Sequence, residues 1–141
     1  MLKSVSNFTN LLDEKDVKYN FFPAENQGDR EVVKIEFGGE HGNDITFLFF
    51  FDPDGTTVSL CVVDFCKVAV EKLMDMYVTV NELNTKYRWI KLYINSDNKI
   101  IVETDAVINE TTAGEVCFEL LSRFFSITNE IYPQIMKVLW S

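Results

Sequence analysis

Residues 68–89, VAVEKLMDMYVTVNELNTKYRW, carry the longest amphipathic helix pattern in the chain that also contains an anomaly. At about 100° per residue, Ala69, Val70, Leu73, Met76, Tyr77, Val80 and Leu83 gather on one side of the helix. Glu71, Lys72, Asp75, Thr79, Glu82 and Lys86 gather on the other. Asn81 and Asn84 fall inside the apolar sector. A buried amide costs free energy unless it is hydrogen-bonded. Both asparagines are therefore expected to be buried and to hold a neighbouring backbone segment; contact with a ligand is the other reading. Asp64 is the candidate N-cap of this helix.

Upstream lies a series of strand patterns. A short amphipathic helix over residues 2–12, with Ser4 or Ser6 as its cap, puts Val5, Phe8, Leu11 and Leu12 on one face. Residues 17–22 alternate apolar and polar, and so do residues 31–37, where Val33, Ile35 and Phe37 share a face. Residues 45–51, ITFLFFF, are apolar on both faces, so this strand should be central or covered twice. After the tight turn DPDG, Val58, Leu60 and Val62 return on one face. Four strands with short connections imply an antiparallel meander.

Downstream of the organising helix comes a hairpin. Ile90, Leu92 and Ile94 face one way, SDNK turns, and Ile100 and Val102 face the core. Residues 112–140 form the last helix, whose apolar residues fill more than half of the wheel. A helix packed on one sheet face needs an apolar stripe only about 100° wide. The excess must be covered either by the organising helix or by a second copy of the chain. Pro133 should kink or break this helix near Tyr132. The order is α-β-β-β-β-α-β-β-α: an α+β fold of one domain, residues 1–141, with an antiparallel sheet of about six strands and helices on one face.

Composition excludes more than it names. The chain has 141 residues, 47% hydrophobic, with twelve Phe and a net charge of −9, enough apolar material for a substantial core. Duplex nucleic acid and anionic membrane surfaces would repel it. No stretch approaches a membrane span and the N-terminus lacks a signal-peptide core, so a cytoplasmic home is expected. Cys61, Cys66 and Cys117 fit neither a zinc site nor a redox pair and read as small hydrophobes.

No catalytic constellation emerges. FDPDGTT lacks the glycine and glutamate that a calcium loop needs at their positions. His41, the single histidine, lies in the Gly-rich loop GGEHGN, where a solvated role is expected. That loop lacks the spacing of a phosphate loop. The carboxylates show no ligand spacing on an apolar face. Neither a cofactor nor a metal is expected.

Residues 80–104 and the late Tyr132-Pro133 pair do resemble a known family. Asn81-Glu82-Leu83-Asn84, the hairpin with its SDNK turn, and Tyr132-Pro133 are similar to the YbjN-like family, whose members are described as "putative bacterial sensory transduction regulators". The likeness is best from about residue 66 to residue 139. It implies a fold like that of type III secretion chaperones, which are homodimers that bind protein segments, and it promises no reaction. The resemblance makes Asn81, Leu83, Asn84, Tyr132 and Pro133 motif residues with a structural role. Two functions follow: a non-enzymatic, dimeric, protein-binding regulatory module, or a small-ligand sensing domain with a pocket lined by the aromatic strands.

Overall fold

A computed structural model of the chain describes residues 1–141. The elements run α1 (Lys3–Glu14), β1 (Asn20–Phe22), β2 (Glu31–Gly38), β3 (Asp44–Phe51), β4 (Thr57–Lys67), a short 3-10 turn (Val70–Lys72), α2 (Leu73–Lys86), β5 (Lys91–Ile94), β6 (Lys99–Val107) and α3 (Ala113–Leu139). The six strands form one sheet in the order β1-β2-β3-β4-β6-β5, every pair antiparallel. The α+β class and the element order are those the periodicities give. α2 provides the crossover that lets β6 insert between β4 and β5.

Strand alternation decides which face is covered. Ile45, Phe47, Phe49 and Phe51 of β3 are all buried, with Val33, Ile35, Val58, Leu60, Val62, Ile100 and Val102 on the same face of neighbouring strands. α1 and α3 lie on that face. Phe8 of α1 meets Phe49 with ring centroids 4.7 Å apart, and Phe125 of α3 meets Phe37 at 5.6 Å. β3 is an interior strand, but helices cover one face only. Its other side chains, Leu48 and Phe50, are half-buried on the opposite face, where Arg30 lies over the Phe50 ring.

α1 and α3 cross closely. Gly114 lets them do so: a Cβ there would lie 2.8 Å from the Asn7 carbonyl oxygen. The Gly114 N–H, unpaired within its own helix so near the start, donates to Asn7 Oδ1 at 2.6 Å. α1 begins without a side-chain cap from Ser4 or Ser6; instead the Leu2 N–H donates to Glu31 Oε1 of β2 at 2.7 Å.

Three local expectations are corrected. β1 covers only the last three residues of the expected strand. Asp64 does not cap α2: β4 continues to Lys67 through a register shift between Val62 and Cys66, which lets Phe65 and Val68 enter the core. α3 is not broken at Pro133 and runs unbroken to Leu139. Its wide apolar arc is covered within the chain, by the sheet, by α1 and by α2.

Candidate functional site

α2 meets the sheet at its C-terminal half. Met76, Val80 and Leu83, spaced by four and three residues, turn into the core. Next to Leu83, and one turn on from Val80, Asn84 reaches β5, an edge strand with one row of backbone groups facing away from the sheet. The Asn84 amide fits that row as a further strand would. Nδ2–H donates to the Leu92 carbonyl at 2.9 Å, and Oδ1 accepts from the Leu92 N–H at 2.8 Å. The amide thus ties the helix to a strand, while the residue stays partly open to water. Asn81 and Asn84 are both exposed, so the expectation that the two asparagines are buried is corrected for each of them. Three residues are not a full turn, and only one of the two asparagines faces β5.

Tyr132 and Pro133 stand on α3 beside the β2–β3 loop. Proline has no N–H, so the carbonyl four residues earlier loses its helical donor. That carbonyl belongs to Asn129. His41 Nε2 lies 3.1 Å from it, and the His41 ring stacks on Tyr132 with centroids 5.8 Å apart at 13°. The Glu40 N–H donates to Asn129 Oδ1 at 2.9 Å, and Asn129 Nδ2–H donates to the Phe125 carbonyl at 2.9 Å. Phe65, turned inward by the β4 irregularity, meets Tyr132 edge-on at 5.8 Å. The loop expected to be merely solvated is therefore anchored on the helix at the carbonyl that the proline frees. Sequence alone held one clue, that residue 129 stands four before residue 133; it gave no sign that residue 41 supplies the donor. The two motif clusters are separate. Gln134, whose Nε2 lies 3.2 Å from Tyr87 Oη, bridges α3 to the end of α2.

The outer face of α2 is different in kind. Val70 is 73% exposed, Met74 76%, Tyr77 50% and Val78 60%. Met74, Tyr77 and Val78, at i, i+3 and i+4, share one side of α2, and Val70 precedes them in the 3-10 turn. Val70 and Tyr77 were expected inside; the core takes only the narrower stripe behind them. Glu71, Asp75 and Glu82 flank the exposed side. Trp140, 83% exposed, stands at the end of α3, which Lys72 ties to the start of α2 by hydrogen-bonding to the backbone of Ser141.

The chemistry elsewhere is quiet. Burial pushes the thiols of Cys61 and Cys117 up to about 12 and that of Cys66 to about 11, with Glu103 adding to the effect at Cys61. All three stay protonated near neutrality and are weak nucleophiles. Partial burial opposes ionisation of Glu103, but Lys91 Nζ at 2.8 Å and Tyr93 Oη at 2.9 Å outweigh it and hold its carboxyl below the usual range. One depression of about 750 Å³ is open and mostly polar, lined by Asp13, Asp16, Lys18, Lys34 and Glu36 among others. The inward-facing rings of β3, Phe47, Phe49 and Phe51, fill the core. No helix is long and apolar enough to cross a membrane.

Comparison with known proteins identifies this arrangement. A family described as "YbjN: Putative bacterial sensory transduction regulator" matches residues 4–136. The chain belongs to the YbjN family. Among solved structures it is similar to that described as "Crystal structure of YbjN, a putative transcription regulator from E. coli", with a TM-score of 0.54, 12% identity and 92% of each chain covered. At that identity the likeness shows a shared fold. No curated protein matches the chain. For this family member, the match takes in α2, the Asn84 contact and the Tyr132-Pro133 pair within one family unit.

Proposed function

We propose that this YbjN-family chain is a non-enzymatic regulatory module that acts by binding proteins, and that the outer face of α2 is its docking surface. One observation carries the reading: Met74, Tyr77 and Val78 stand in water on a helix whose opposite side packs into the core, and Val70 of the preceding 3-10 turn is exposed as well. Contiguous exposed apolar side chains on a soluble chain mark an interaction surface. The helical spacing suits a helix-in-groove or helix-on-helix mode. A second copy of the chain is the first partner proposed, making the protein a homodimer. The net charge of −9 disfavours duplex nucleic acid and anionic membranes as partners. A cytoplasmic home fits three free cysteines held as thiols.

Light scattering behind a sizing column, over a range of loading concentrations, tests the reading. A dimer mass that persists on dilution is the expected result. A monomer at every concentration removes the second copy as partner.

A further inference from the structure

The linker between α2 and β5 contains an unusual residue. Three non-glycine residues have positive φ: Asp16 at 57°, Asn98 at 60° and Trp89 at 74°. Aspartate and asparagine tolerate the left-handed region, but a bulky aromatic side chain is strained there. Burial does not compensate, because Trp89 is 48% exposed. Strain held in place at the surface points to use at the surface.

The surroundings of the ring are cationic. The Arg88 guanidinium lies over it at 5.4 Å from the centroid, and that of Arg123, from the middle of α3, at 5.0 Å. Residues 86–91, KYRWIK, carry three basic side chains and no acidic one. Arg123 is paired with Glu119 at 2.7 Å and Lys91 with Glu103 at 2.8 Å, whereas Lys86 and Arg88 take part in none of the ion pairs. Glu103 and Asp105 line the adjoining depression with Trp89, which bounds how far the positive region extends.

We propose that Trp89, framed by Arg88 and Arg123, is a docking point for an acidic segment of a partner protein. This rests on the protein-binding reading but uses a different surface from the outer face of α2. An acidic segment is repelled by most of a chain of charge −9 and is admitted where cations cluster, so the field orients its approach. Guanidinium groups offer paired donors to carboxylates, and an indole beside them supplies apolar contact area. Trp and Arg are the residue types that dominate binding energy at interfaces.

The test uses the full chain with Trp140→Phe, which leaves Trp89 as the single tryptophan. A short Glu/Asp-rich peptide is titrated against its fluorescence. The expected result is a saturable change that weakens with added salt. Arg88→Glu with Arg123→Glu should weaken binding roughly tenfold or more, the effect of removing interface anchors. Arg88→Gln, at an exposed position, serves if the double variant fails to fold. Trp89→Gly separates strain from packing. Glycine takes positive φ freely, so this variant should melt at the same or a higher temperature than the parent. By calorimetry it should no longer bind the peptide. Absence of a saturable signal, undiminished binding by the glycine or arginine variants, or preference for a Lys-rich peptide or a single-stranded oligonucleotide would each overturn the proposal. A dimer that ignores the acidic peptide defeats this inference alone, and a monomer that binds it removes only the second copy as partner of α2.

Discussion

α3 is the more apolar helix and α2 the more exposed one. α3 carries apolar side chains around most of its circumference, yet the sheet, α1 and α2 cover nearly all of them. α2 carries fewer, and Met74, Tyr77 and Val78 of its outer side remain in water, as does Val70 in the turn before it. The amount of apolar surface on a helix therefore says little about where a partner sits. What matters is how much of it the rest of the chain leaves uncovered. α3 is the spine of the core, and α2 is a helix with one side spent on folding and one side free.

The contrast can be broken first where the largest effect is expected. Phe124 is fully buried on α3. Phe124→Ala should cost about 3–5 kcal/mol, as large core deletions do, read as a fall in the urea midpoint at unchanged slope. A cost near zero would mean that α3 is not the spine. Next comes the hinge between α2 and the sheet. Asn84→Leu removes both hydrogen bonds to Leu92 and reopens the β5 edge. It should cost about 1–2 kcal/mol, with faster amide exchange at Leu92; an unchanged midpoint would show the contact to be idle. Smaller still is His41→Ala, which leaves the Asn129 carbonyl without its donor. The expected loss is about 0.5–1.5 kcal/mol. Adding Pro133→Ala returns an N–H to that carbonyl, so the two substitutions should not add. Strict additivity in the cycle would contradict the proline account.

Much of this fold was legible because its periodicities are clean. The order of elements and the antiparallel meander follow from the strand alternation and turns in residues 31–62; the buried side of β3 does not, because residues 45–51 are apolar on both faces. What was hidden is non-local. Asp64 looks like a helix cap, but the strand runs on past it because Phe65 and Val68 find room in a core built by distant residues. Asn81 and Asn84 look alike on a wheel, and only the position of β5 separates them. Pro133 reads as a break, and the donor that stabilises the unbroken helix comes from residue 41, across 88 positions of sequence. The docking surface was illegible for the same reason. A wheel ranks sides of a helix by apolarity and cannot show that the core takes only Met76, Val80 and Leu83.

The most direct test pairs two readings on one sample. Met74→Asp with Val78→Asp places charges on the outer side of α2, where neither side chain touches the core. Mass by light scattering and the urea midpoint are measured together on this variant and the parent, extrapolating the midpoint to a common protein concentration. The account predicts a parental dimer and a monomeric variant, with intrinsic stability changed by no more than about 0.5 kcal/mol, the usual range for surface substitutions. A variant that stays dimeric, or a parent that is monomeric at every concentration, would contradict it.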